Sequence, residues 1–165
     1  WINENMPPPA NGALFVEGGN LYLSGVLKGE LSAGSNRDVV ITDNITYSRD
    51  PRVNPNSPDK LGIIAEKDVI VSKNAPYNLE VDASIMAMGE SFIVENWWSG
   101  LKGTLAVYGG IIQDERGPVG TFDSSTNQKV SGYTKNYRYD SRLATSPPPY
   151  FPVTGDYVTL SWEEE

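Results

Sequence analysis

From Ala13 to about Gln113 apolar and polar positions alternate with period two, and no window carries an i, i+3, i+4, i+7 stripe. That is the signature of strands, not of amphipathic helices. Val, Ile, Leu, Tyr and Thr dominate, while Gly, Asn, Asp and Ser punctuate. A short phrase recurs within the alternation: apolar-x-apolar-x-x-x-apolar. Leu21, Leu23 and Leu27 fit it, as do Val39, Ile41 and Ile45; Ile63, Ala65 and Val69; Leu79, Val81 and Ile85; and Leu105, Val107 and Ile111. In three of these a turn-prone or small residue, Asn44, Ser84 or Gly110, precedes the last apolar position. The phrase returns at irregular intervals of 16 to 26 residues.

Two architectures suit this pattern. A parallel β-helix stacks coils of about this length, with inward apolar ladders and loops leaving at the corners. An antiparallel sandwich also has short, fairly regular strands. Three features favour the β-helix. Apolar residues flank a small-residue bend, as Ile41 and Ile45 do, which suits a strand turning a corner. Hairpin dipeptides are scarce, Asn11-Gly12 being the one case, and it precedes the first strand. Insertions also fall between matched segments: 48–60, with Pro51, Pro55 and Pro58, reads as a loop leaving the stack.

The expected fold is all-β: a single-stranded parallel β-helix (β-solenoid) with an aromatic, loop-rich C-terminal cap. An extended lead-in covers 1–12, with Pro7-Pro8-Pro9. Coils occupy 13–116, and 117–165 reads as an irregular cap. This last segment holds Tyr133, Tyr137, Tyr139, Tyr150, Phe151, Tyr157 and Trp162. A solenoid must close its open end, because the last coil otherwise exposes apolar surface and unpaired edges. Val158 to Trp162 reads as a final strand, and Glu163-Glu164-Glu165 as a solvated acidic tail. Ile41, Ile45, Val81, Ile85, Val107 and Ile111 are expected to point inward.

The blocks 14–45, 61–71, 100–122 and 131–152 together resemble the C-terminal part of bacterial pilus-assembly or minor-pilin-like surface proteins. The most specific part is SGYTKNYRYDSRLATSPPPYFP at 131–152 with its spacing to GPVGTF at 117–122. The resemblance implies an extracellular, cell-surface setting with other pilus or surface proteins as partners. It also implies a prepilin-like export helix upstream of the solenoid. The sequence begins at Trp1, so an export signal or anchor would lie upstream of it. The resemblance carries no catalytic residues.

Composition narrows the chemistry. With no Cys and no His, disulfides, thiolate sites, the Ser-His-Asp triad and nearly all zinc chemistry are excluded. A net charge of −8, with Lys and Arg scattered singly, disfavours nucleic acid. No apolar run approaches a membrane span. No cofactor or metal is expected: EF-hand and nonapeptide calcium repeats are lacking, although Asp38, Asp43 and Asn44, or Asp50 and Asp59, could cluster.

Many β-helix proteins cleave polysaccharides, so a carbohydrate-binding or carbohydrate-cleaving role is the alternative to a non-enzymatic structural or adhesive module. Glycosidases need two carboxylates across a cleft. Candidates are Asp43, Glu66, Asp68, Glu80, Asp82, Glu95 and Asp114, and Glu80 and Asp82 share a strand face. In an acidic protein such pairs arise readily on a solvated face, and no catalytic residue is assigned. Exposed rings can stack on sugars, which makes Trp97, Trp98, Tyr137 and Tyr139 the candidate binding residues, with surface glycans as a possible partner class. Adjacent Trp residues in a strand would point to opposite faces. The plainer reading of all four rings is packing.

Overall fold

The structure is a computed structural model that describes residues 7–152. The final strand expected at Val158 to Trp162 and the acidic run after it lie outside the described residues. So do the first six residues of the lead-in. The rest forms a parallel β-solenoid of about four turns.

Each turn has three sides. The first side stacks β1 (Ala13–Val16), β3 (Glu30–Ser35), β5 (Lys60–Ala65), the end of β7 (Leu79–Ala87) and the end of β9 (Leu101–Gln113). The second stacks the start of β2 (Leu21–Leu27), the start of β4 (Val39–Tyr47), β6 (Val69–Val71) and β8 (Phe92–Val94). On the third lie the ends of β2 and β4, the starts of β7 and β9, and β11 (Lys129–Tyr139). All these pairings are parallel. The exception in the sheet is β10 (Gly120–Phe122), which pairs antiparallel with β11.

The register places like residues above one another. Leu14, Ala33, Ile63, Ile85 and Ile111 form one ladder on the first side. Leu21, Val39, Val69 and Phe92 form one on the second. Gly25, Ile45, Val81, Val107 and Tyr137 form one on the third. Ile41, Ile45, Val81, Ile85 and Val107 are buried as the alternation predicts, and Ile111 is half-buried against the same core. Each such side chain withdrawn from water is worth about 1.5–3 kcal/mol, which is what holds the coils together.

The recurring phrase, however, aligns only in part. Leu79-Val81-Ile85 does stack on Leu105-Val107-Ile111. Ile45 pairs with Val81, not Ile85, and Ile63 pairs with Ile85, not Leu79. The reason is geometric. Every corner is a bend between two inward apolar residues, so the phrase at the second-to-third corner (Ile41 to Ile45) looks like the phrase at the third-to-first (Val81 to Ile85).

The corners are closed by side chains acting as backbone partners. Asn44 Oδ1 accepts from the Glu80 amide at 2.8 Å, and Asn78 Oδ1 accepts from the Thr104 amide at 2.9 Å. The insertion leaves at the third-to-first corner and returns at Lys60. Asp59, fully buried, accepts from the Gly29 and Arg49 amides, both at 2.7 Å, and so pins both ends of the loop to the coil below.

The stretch read as irregular chain from 117 onward is strand over β10 and β11. Tyr133 fills the last turn, with its hydroxyl donating to the Pro76 carbonyl at 2.6 Å, and Tyr137 covers Phe92. Two of the C-terminal aromatics therefore close the upper end from within the coil. Beyond them the chain runs back down the outside of the first side. It forms a 3-10 helix at Ser141–Ala144, and Pro149 reaches the level of β3, where the Ser32 hydroxyl donates to its carbonyl. The seat of this strap is a row of small outward residues in register: Ala13, Ser32, Gly62, Ser84 and Gly110. A Cβ at Gly62 would stand 2.6 Å from the Phe151 ring, so the strap needs glycine there.

Candidate functional site

The largest concentration of buried charge lies at the third-to-first corner, under the insertion loop. Strand alternation sends Glu80 and Asp82 outward from β7, as the sequence predicts. Residue 82 stands level with Tyr108 on β9 and Arg138 on β11. The loop folds over this point and lays Arg52 on both acids. Arg52 Nη2 lies 2.7 Å from Glu80 Oε1 and 3.3 Å from Asp82 Oδ2, its Nε 2.7 Å from Asp50 Oδ1, and its guanidinium 5.1 Å from the Tyr108 ring centre. Asp82 is 1% exposed. Its Oδ2 also accepts from the Tyr47 amide at 3.2 Å, while Oδ1 is buried without a hydrogen-bond partner. Burial raises its pKa to about 6 against the pull of Arg52.

A second arginine ties the strap to the same loop. Arg142 clasps Asp140 (Nη2–Oδ2 2.6 Å, Nε–Oδ1 3.0 Å) and donates to the carbonyls of Ser57 and Asp59 at 2.7 and 3.2 Å. Its guanidinium stands 5.7 Å from the ring centre of Tyr47, whose hydroxyl accepts from the Leu61 amide. Burial holds the Tyr47 phenol protonated well beyond its ordinary range. Arg52, Tyr47, Asp140 and Arg142 carry no sequence signal of their own. The available hint was an insertion placed at the same corner as an outward acid, Asp82, beside an outward aromatic, Tyr108.

This arrangement bears on the hydrolase alternative. A glycosidase pair must face a sugar across open space. Here one guanidinium occupies the space between Glu80 and Asp82. The other acids weighed for calcium serve as acceptors for backbone amides: Asp38 from Asp68, Asp43 from Asn44, and Asp59 from Gly29 and Arg49. Among the described residues no group of three acids is placed to hold a metal ion.

The four candidate rings fall in two places. Trp97 and Trp98 lie in a turn after β8, so the strand alternation expected for them does not apply. Asn96, at φ 52°, turns the chain just before them. Their rings meet edge-on at 5.6 Å; Trp97 packs against the core, and Trp98 is 63% exposed. Trp97 lines a hollow of about 230 Å3 whose polar wall includes Lys73, Asn74, Glu95 and Lys102. Tyr137 and Tyr139 lie at the upper end of β11. Tyr137 is tilted over Phe92 at 6.4 Å, with Lys135 5.9 Å from its ring centre and its pKa pushed up to about 12 by burial. Tyr139 is exposed and lines the groove beside the strap. The structure therefore assembles no single site from these residues.

A scan against protein-family models, a search of curated proteins and a search of solved structures each found no match.

Proposed function

We propose that this chain is a non-enzymatic, extracellular structural or adhesive module of a pilus-associated, minor-pilin-like surface protein. The observation that carries the reading is Arg52 lying across Glu80 and Asp82. The acid pair that could have marked a hydrolase is engaged in fastening the insertion loop to the coils. Asp140 and Arg142 fasten the strap in the same way, so the buried charges join three separate pieces of chain. A short stack of coils with its loops tied down suits a display role, and other pilus or surface proteins are its proposed partners. The test is incubation with a panel of acidic and neutral polysaccharides, with and without calcium, measuring reducing ends and unsaturated products. No turnover is expected. Turnover abolished by Glu80→Ala or Asp82→Ala would overturn the reading.

One observation favours a second reading, carbohydrate binding without cleavage. An exposed Trp98 stands edge-on to Trp97 beside a polar hollow large enough for one sugar ring. Aromatic faces with adjacent amide, ammonium and carboxylate groups suit a saccharide. Retention of the protein on a glycan array, lost in Trp97→Ala and Trp98→Ala, would support it.

A further inference from the structure

Three lysines meet at the second-to-third corner of the upper coils. Lys73 follows β6, Lys102 opens β9 and Lys129 opens β11. Lys73 and Lys102 line the hollow of about 230 Å3 beside Trp97, where Glu95 is the one carboxylate. Lys129 Nζ donates to the carbonyls of Lys102 and Gly103, on the strand that carries Lys102. In a chain of net charge −8, a hollow with more cations than anions in its wall is a place for a negatively charged ligand.

The polar groups of the hollow are held in place with hydrogen-bonding capacity to spare. Lys102 Nζ donates to the Ala75 carbonyl at 2.6 Å and lies 5.7 Å from the Tyr133 ring centre. An ammonium has three N–H donors, and Ala75 takes one. Among the described residues Lys102 forms no salt bridge. Because Ala75 and Tyr133 already order this side chain, an incoming anion would lose little to fixing it. Lys73 Nζ is 3.8 Å from Glu95 Oε1, beyond hydrogen-bond range, and its side chain is 54% exposed. Glu95 is positioned from its other oxygen, since Oε2 accepts from the Lys73 amide at 3.0 Å. That leaves Oε1 to accept from a hydroxyl. Asn74, Asn96 and Ser99 add groups that both donate and accept, and Trp97 with Val94 gives the apolar wall.

A neutral sugar would use the ring wall, the amides and Glu95, and would leave two ammonium groups without a counter-charge. A sugar that carries a carboxylate uses all of them. Resting on the carbohydrate-binding reading, we propose that this hollow takes an acidic sugar, a uronic acid residue of a polysaccharide. Its carboxylate meets Lys102 and Lys73, its ring lies against Trp97, and its hydroxyls reach Glu95, Asn74 and Asn96. Charge-assisted hydrogen bonds to the carboxylate then set the preference for acidic over neutral sugars.

The test uses immobilised oligomers of galacturonate, glucuronate, mannuronate and guluronate, each beside its carboxyl-reduced counterpart. Reduction keeps the ring and replaces the carboxylate with a hydroxymethyl group. The intact chain should bind at least one uronate about tenfold more tightly than its reduced form, and added salt should narrow the gap. Lys102→Gln should weaken uronate binding about tenfold and Lys73→Gln about threefold, with binding to the reduced forms unchanged. Lys73 is exposed, so its substitution reads the charge without disturbing the fold. Equal binding to both forms, or lysine variants that bind uronates as the unaltered chain does, would overturn the acidic-sugar assignment and leave carbohydrate binding standing. No binding to either form, or to the neutral sugars of a glycan array, would overturn the carbohydrate reading with it.

Discussion

Burial and charge oppose each other at Asp82. The carboxylate is out of water, one oxygen has no partner, and Arg52 compensates the other. Removing Arg52 leaves a buried carboxylate that must take up a proton or stay unpaired, so Arg52→Ala should cost about 1–3 kcal/mol in urea unfolding at pH 7. Because the folded pKa of about 6 lies above the ordinary carboxylate value of 3.8, the folded state binds the proton more tightly than the unfolded chain. The resulting stabilisation is fully present below about pH 4 and is lost as pH rises through about 6. Asp82→Asn, neutral throughout, should flatten that part of the pH profile. Differences in Tm between wild type and Asp82→Asn at pH 4 and pH 7 check this; an identical profile would show that Asp82 does not titrate there. Little of the cluster was legible beforehand. Alternation put Glu80 and Asp82 on one face, but Arg52 reaches them from 28 and 30 positions away, through a Pro-rich loop whose path no local propensity sets.

Among elements, the ladders and the strap respond to different substitutions. Ile85 is fully buried between Ile63 and Ile111 in its ladder, so Ile85→Ala should cost about 2–5 kcal/mol, measured by chemical denaturation, because neighbouring coils cannot close around the void. Gly62→Val should act on the strap instead. Its side chain would enter the space of Phe151 and Pro148, lifting the strap while the coils stay stacked. Faster proteolytic cleavage within 140–152, with little change in far-UV circular dichroism, is the expected outcome; unchanged cleavage would mean that the strap is held elsewhere. The sequence made strands and inward residues readable because period-two alternation needs only local information. It misplaced coil register because all three corners present the same apolar-bend-apolar phrase. The strap's seat was in view as small residues at Ser32, Gly62, Ser84 and Gly110, but their alignment emerges only once the register is known. Reading 117–139 as irregular went wrong for a related reason: polar and aromatic residues at the last coil, Lys135 and Tyr137 among them, stand in inward ladders that are apolar elsewhere.

For the whole molecule, the structural role requires that coils, insertion and strap behave as one body. Deleting 131–165 strips β11 from β9 and removes Asp140 and Arg142 together. Aggregation or loss of cooperative melting should follow, since an apolar coil edge becomes exposed. A truncated protein that stays monomeric with an unchanged Tm would refute that closing role. The most direct test of the account is equilibrium unfolding of the intact chain in urea, followed at once by tryptophan fluorescence and far-UV circular dichroism. Of the four tryptophans, Trp97 and Trp98 report on the turn after β8, and replacing Trp1 and Trp162 by Phe isolates their signal, while the dichroism reports on every coil. The account predicts a single shared midpoint, as expected for a short stack whose loops are cross-tied by Arg52 and Arg142. Separate midpoints, with one part melting while the other stays folded, would contradict it.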